Sequence, residues 1–494
     1  MNKRILIVLF LWMNAVSSIF AQDSALVKGS VGLTGTVTSN NQVPFWMRTN
    51  QYGSIPLDGA SASVIGNIYK PYRMRTAKSK FDWSAGAEIR INAGKLVAAD
   101  LIEAFGAIKY GAFQLQAGRV KSRTGLVDPE LSSGGYSISG NALGIPKIEL
   151  SIPEFTAVPF TKKLLAVKGN LGFGDMGKLT VRARLDSVKH LHSYYHEKSL
   201  YLRIGKPGWK LKLYGGVNHE VEFGNEKEIN GPQFDLQGLN YLWYVFSGQT
   251  YGGQNGLIRS KVGNHLGSVD QALSYDFKDV YLYAYHQFFY EVGGLYHLNN
   301  VGDGLWGISL QRKKTERPVI YWKKIVLEFI GSKDQGGGVN AKITPSGDED
   351  YYNNYVYYDG WTYKGENLGN NLFTNKSYGR QELPSRTSQG IINNRLHAFY
   401  AAAIVQWKYW ELLARVSYSR NFGTYGTSPE GTSLGAQRTV YPPPYFPTVN
   451  QFSGFISARR PLKNNFYLEL GLAGDNGALL YNSIGGQVKL ARAF

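Results

Sequence analysis

After the first 21 residues, no apolar run approaches the roughly 20 residues that a helix needs to cross a bilayer. The longest, Ala398 to Val405, stops at Gln406. Yet segment after segment alternates apolar and polar side chains, and a period of two puts successive side chains on opposite faces of a strand. From Phe81 to Ile91, the residues Phe81, Trp83, Ala85, Ala87, Ile89 and Ile91 oppose Asp82, Ser84, Gly86, Glu88 and Arg90. Leu211, Leu213 and Val217 oppose Lys210, Lys212 and Tyr214, and Leu468, Leu470 and Leu472 oppose Tyr467, Glu469 and Gly471. From Lys178 to Asp186, Leu179, Val181, Ala183 and Leu185 oppose Lys178, Thr180, Arg182 and Arg184. A chain that crosses lipid without helices must close its sheet, because only closure satisfies every backbone donor and acceptor. The pattern therefore predicts an all-β fold, a transmembrane antiparallel β-barrel of a bacterial outer membrane.

The two ends point to the same compartment. Lys3 and Arg4 precede the apolar core Ile5 to Trp12, and Ile19-Phe20-Ala21 suits cleavage before Gln22, so residues 1–21 read as a secretory signal. Residues 22–494 then form one barrel with long extracellular loops. At the other end Ile484, Val488, Leu490 and Phe494 share one face of a strand that finishes on an aromatic side chain. A terminal Phe of this kind is what the barrel assembly machinery reads. Arg492 interrupts that face, and its long stem can snorkel to the headgroups.

Candidate strands number roughly 16 to 20, and an even count is expected. Short turns are expected at Gly174-Asp175-Met176-Gly177, between strands at Leu164–Phe173 and Lys178, and at Gly205 to Gly208. Long connections are expected at Ser332 to Asn394, His219 to His265 and Asn421 to Asn450, the last holding the rigid run Tyr441-Pro442-Pro443-Pro444-Tyr445. Aromatics are 14% of the chain. Clusters such as Tyr281, Tyr283 and Tyr285, or Trp407, Tyr409 and Trp410, suit the girdles at membrane interfaces. A soluble sandwich or propeller fits less well, because several polar faces carry both signs of charge along a full strand, as a wet lumen would.

The formal charge of +18 favours anionic partners such as acidic glycans or lipopolysaccharide phosphates. An exported chain seldom meets nucleic acid. Zero cysteines exclude disulfides and thiolate metal sites.

Several ordered segments together resemble the Wzi capsule assembly family. They begin with Pro44-Phe45-Trp46-Met47-Arg48-Thr49-Asn50-Gln51-Tyr52-Gly53, then Leu131-Ser132-Ser133-Gly134-Gly135 and Ser139-Gly140-Asn141-Ala142. Ile145-Pro146-Lys147-Ile148, Gly263-Asn264-His265-Leu266-Gly267-Ser268 and Asp303-Gly304-Leu305-Trp306-Gly307 follow, with Asp350-Tyr351-Tyr352-Asn353-Asn354, Gly360-Trp361 and Tyr418-Ser419-Arg420-Asn421 later. The resemblance implies an outer-membrane barrel of about 18 strands with a largely occluded lumen, and the chain is read as a monomer. It implies a lectin-like role in holding capsular or other surface polysaccharide. Relatives carry a periplasmic helical segment near the N-terminus, whereas Val31 to Val37 reads here as a strand.

Chemistry-bearing residues are few. Sugars are held by stacking on aromatic rings while planar amide and carboxylate groups bond the hydroxyls. Asp350, Tyr351, Tyr352, Asn353, Asn354 and Trp361 supply both kinds of group and form the candidate carbohydrate site, against a plain reading as a polar loop with packed tyrosines. Asp348, Glu349 and Asp350 lack the spacing of a calcium loop. His190, His192 and His196 share one parity, but zinc needs well-placed ligands with supporting bonds, so no metal or other cofactor is expected. Gly172-x-Gly174-x-x-Gly177 is followed by a strand rather than the helix a dinucleotide site requires. No His-Glu-x-x-His helix occurs, and His286 and His297 lack a serine motif in the setting that nucleophilic catalysis needs. Arg182, Arg184 and Lys212 are candidates to line the lumen, where pairing with acids such as Asp186 competes with binding acidic sugars. The alternative function for such a chain is a porin or solute diffusion channel.

Overall fold

The computed structural model describes residues 27–72, 80–183, 187–254, 257, 259–291, 302–314, 316, 318–336, 349–434 and 437–494. The signal segment, Arg184, Asp186, His297 and Asp348 lie outside the described residues. An 18-stranded antiparallel sheet accounts for the wall. Its first half comprises β1 (Lys28–Thr38), β2 (Ser61–Lys70), β3 (Phe81–Ala93), β4 (Val97–Tyr110), β5 (Phe113–Arg119), β6 (Lys147–Ala157), β7 (Leu165–Ala183), β8 (Ser187–Ile204) and β9 (Leu211–Phe223). The second half comprises β10 (Asn264–Asp276), β11 (Val280–Tyr290), β12 (Gly304–Arg312), β13 (Ile320–Gly331), β14 (Leu396–Trp407), β15 (Trp410–Asn421), β16 (Val449–Pro461), β17 (Phe466–Gly477) and β18 (Ser483–Ala493).

Each strand pairs with its neighbours in sequence, and β1 pairs with β18 from Ser30 opposite Ala493 to Thr38 opposite Gly485. The sheet is thus closed and has no free edge to expose to lipid. Its outer face is the apolar set read from the sequence: Phe81, Trp83, Ile89 and Ile91 on β3, Leu211, Leu213 and Val217 on β9, and Ile484, Val488 and Leu490 on β18 are all exposed. No described helix is long and apolar enough to cross a membrane. Both described termini lie at the rim where connections are short, for example 111–112, 205–210, 277–279 and 408–409. At the opposite rim stand the long connections 39–60, 120–146, 224–263, 332–395 and 422–448.

Three local expectations are corrected. Gly174 to Gly177 is no turn: β7 runs straight through it for 19 residues, with a bulge between Asp175 and Gly177. Gly177 takes a φ of +73° there, which glycine adopts without steric cost. β6 pairs with β7 only as far as Gly174, so the upper part of the β7–β8 hairpin rises above that neighbour. The faces of this upper part are the reverse of those expected. Leu179 and Val181 are buried against an inward-folded loop, where Arg182 N donates to Val356 O at 2.8 Å, while Lys178 is exposed. Finally, Tyr283 and Tyr285 face the lumen rather than a girdle, donating to Leu126 O at 3.1 Å and to Glu328 Oε1 at 2.5 Å. Trp407 and Tyr409 are exposed at the short-turn rim, as a girdle requires.

Candidate functional site

Three of the long connections turn inward and fill the barrel. From 39–60 comes the single-turn helix α1 (Phe45–Arg48). Trp46 is buried against Tyr400 with ring centroids 4.8 Å apart, and its Nε1 donates to Ser417 Oγ at 2.9 Å. From 120–146, a run of small residues lets the backbone approach the wall closely. Leu126 N donates to Asp270 Oδ2 at 2.7 Å, and Ser133 N to Glu328 Oε2 at 2.8 Å. Tyr136 stacks on Phe289 at 4.2 Å and donates from its hydroxyl to Glu291 Oε1 at 2.8 Å. Carboxylates on inward strand faces thus accept from plug backbone that would otherwise be unsatisfied, a loss of about 1–3 kcal/mol per buried group.

The third insertion, 349–395, contains the six residues proposed for sugar. Tyr351, Tyr352 and Trp361 are fully buried, and Asn353 nearly so. Tyr351 Oη donates to Asp303 Oδ2 at 3.1 Å, Tyr352 N to Glu291 Oε1 at 2.7 Å, and Trp361 Nε1 to Ser137 O at 2.7 Å. Asn353 bonds Ile391 twice, Nδ2 to O and Oδ1 from N, each at 3.0 Å. Asn354 Nδ2 donates to Asn264 Oδ1 at 2.9 Å, and Gln389 Nε2 donates to Asp350 Oδ2 at 3.0 Å. The six residues are brought together, but as the hydrogen-bonded base of the plug: the three rings present no open face for a sugar to stack on. Asn370 and Asn371 stitch this insertion to the previous one, through Gly134 O at 2.5 Å and Ser133 O at 3.0 Å.

Burial raises the pKa of several plug carboxyls. Asp303 is pushed up to about 8 by burial, partly countered by its bonds from Tyr351 and Asp334 N. Glu366 is pushed up to about 7 by burial, with Arg48 acting against it. Glu291 also rises, chiefly through burial. In each the cause is the same: burial disfavours the charged form.

Above the plug lies a half-buried strip, with Tyr441 as its exposed member, that the sequence did not single out. Arg386 lies 4.9 Å from the Tyr441 ring and donates to Pro442 O at 2.9 Å. Arg380 lies 5.5 Å from the Tyr481 ring, and Arg48 sits 4.0 Å over Tyr378. Only the rigid run from Tyr441 to Tyr445 hinted at it. Planar cations beside rings are the groups that bind acidic sugars.

The remaining candidates are separated. His190 and His192 are exposed on β8, His192 Nε2 being 3.1 Å from Asp175, whereas His196 is buried against Phe173. Among the described residues, no group of three His, Cys, Asp or Glu is placed to hold a metal. His286 stacks on Trp306 at 3.7 Å on the outer wall. Lys212 points into the lumen near the short-turn rim, opposite Ser274. Lumen charges pair elsewhere, as in Lys121 with Glu88 at 2.7 Å and Lys324 with Glu130 at 3.0 Å.

No protein-family model matches the chain, and no curated protein sequence matches it. Among solved structures it is similar to Wzi of Escherichia coli, described as an outer membrane protein involved in group 1 capsule assembly and a carbohydrate-binding β-barrel. That likeness has a TM-score of 0.54 at 12% identity, over 97% of this chain and 86% of that one. OccAB4 of Acinetobacter baumannii matches with a TM-score of 0.43 at 6% identity, over 96% of this chain and 99% of that one. OccK5 of Pseudomonas aeruginosa matches with a TM-score of 0.43 at 9% identity, over 95% and 98%. The shared feature is the fold, an outer-membrane β-barrel.

Proposed function

We propose that this outer-membrane barrel binds an acidic surface polysaccharide and helps assemble or anchor capsule at the cell surface, without covalent chemistry. The observation that carries the reading is the filled lumen. Apolar and aromatic plug side chains, Trp46, Tyr136, Trp361 and Phe373 among them, are buried in one core with the inward faces of the wall. A diffusion porin needs an open aqueous path; a surface anchor needs a rigid platform. In bacterial barrels the rim with the long connections faces outward, and here that rim carries the strip of Tyr378, Arg380, Arg386, Tyr441 and Tyr481. The six residues from Asp350 to Trp361 act in this reading as the base that fixes the strip. The Escherichia coli capsule-assembly barrel has the same fold, and the reading extends its carbohydrate binding to this chain.

The test pairs a deletion strain with the purified protein. The strain is expected to make capsule and shed it, and the protein to bind the strain's polysaccharide. Arg386→Ala with Tyr441→Ala is expected to weaken binding at least about tenfold, roughly 1.4 kcal/mol. Retained capsule together with a protein that ignores the polysaccharide overturns the proposal, and large steady conductance favours a porin.

A further inference from the structure

The connection 224–263 does not enter the lumen; it folds back over the outside of the wall. It carries two helices, α2 (Glu226–Asn230) and α3 (Gly238–Ser247). The outward faces of β8, β9 and β10 beneath α3 bear polar side chains. Lys198 Nζ lies 3.9 Å from the Phe246 ring, and His219 Nε2 lies 2.9 Å from His265 Nδ1. Along α3, Leu239 and Trp243 are exposed.

Between this strap and the wall is a cavity of about 590 Å³, within the range of about 300–1,000 Å³ typical of small-molecule sites. Its inner side is Phe173, Tyr194 and Phe223 on the outward faces of β7, β8 and β9, and its outer side is Phe234, Leu236 and Leu242. Below it the wall continues as the exposed belt Leu171, Leu200, Leu202 and Ile204. From Ile204 up to Tyr194 the wall rises about 25 Å, at roughly 3.3 Å per residue and a tilt of about 40°, which is the height of the apolar band of such barrels. The cavity therefore opens at the upper edge of the band, continuous with the lipid-facing surface. At its head Lys227 lines it beside Glu226, Lys189 pairs with Glu228 at 2.9 Å, and exposed Lys178 stands in register with His192, so the exposed cations outside that ion pair are Lys178 and Lys227.

We propose that this cavity holds one acyl chain of an anionic outer-leaflet glycolipid, lipopolysaccharide, whose phosphates meet the lysines above. The rings and leucines that make up most of its walls suit an acyl chain rather than a soluble sugar or nucleotide, and their continuity with the belt lets a chain enter sideways from the leaflet. The site is separate from the rim strip, so its occupancy is independent of polysaccharide binding.

The test is native mass spectrometry of the full-length barrel, delipidated in mild detergent and titrated with purified lipid A or with dioleoyl phosphatidylglycerol. One lipid A per barrel is expected, at concentrations about tenfold below those needed for the phospholipid. Leu242→Glu and Leu236→Trp are expected to abolish that adduct, while Leu202→Ser in the open belt keeps it. Equal binding of the two lipids, no adduct on the wild type, or an adduct that survives both cavity variants overturns the proposal. Should a variant fail to fold, the wild-type preference between the two lipids decides alone.

Discussion

Asp303 shows how a single buried carboxyl can set a pH response. Its pKa in the folded chain is pushed up to about 8 by burial, against an unfolded value near 3.9. Above about pH 4 the unfolded form releases the proton while the folded form keeps it, so folding binds more protons and stability falls as pH rises. The favourable contribution is complete below about pH 4 and has been lost by about pH 8. Glu366, pushed up to about 7, acts in the same direction. Melting of the plug in detergent is therefore expected to shift down between about pH 5.5 and 8.5, with Asp303→Asn flattening the slope; an unchanged slope in that variant assigns the response elsewhere. Trp361 tests packing at the same scale. It is fully buried and bonded to Ser137 O, so Trp361→Ala is expected to destabilise by about 3–5 kcal/mol, read by thermal unfolding. Residues 350–361 were legible as a group of rings and amides that belong together. Whether rings face water or a core depends on what packs above them, and local sequence carries no record of that.

At the scale of elements, the alternation named the lipid-facing side where a strand lies within the bilayer, as on β3, β9 and β18. It failed where the strand leaves the lipid. Above Gly177 the solvent is outside and the plug inside, so the apolar side of β7 turns inward and Lys178 outward, with no change in the two-residue period. The same ambiguity hid Tyr283 and Tyr285, whose rings serve a packed interior as readily as a membrane interface. Gly174 to Gly177 looked like a turn because a glycine-bounded tetrapeptide suits both a hairpin and a bulge; pairing with β8 on the far side decides for the bulge. The inward course of 120–146 was hidden in its small residues, which speak of close backbone approach without naming the surface approached. The strap over β8, β9 and β10 yields an element-level prediction. Replacing 238–247 by a short Gly/Ser linker uncovers Lys198, His219 and His265 to lipid, where polar side chains are costly. The variant is expected to melt lower in lipid nanodiscs than wild type, with its lumen unaltered; equal melting temperatures count against the strap as a shield.

For the whole molecule, the wall and the plug fold on different terms. The wall is bound by its ladder, closed through β1 and β18, and its outward apolar belt needs only lipid. Plug segments are held by side-chain bonds to inward carboxylates, Asp270, Glu291 and Glu328, and by the aromatic core around Tyr136 and Phe373. The wall does not need the plug to satisfy its own backbone, so removing 337–394 and joining Gly336 to Arg395 through a flexible linker is expected to leave the barrel assembled and heat-modifiable on gels. The lumen would then lose Tyr351, Tyr352, Trp361 and Phe373 together and admit water past the carboxylates and basic side chains of the inner wall. In planar bilayers the intact chain is expected to give little conductance, and the shortened chain steady openings. The acids released from burial, Glu291 and Asp303, would then ionise at neutral pH, so conductance should favour cations more strongly as pH rises. If the intact chain conducts as well as the shortened one, the interior is not sealed in the membrane and the anchoring platform loses its physical basis.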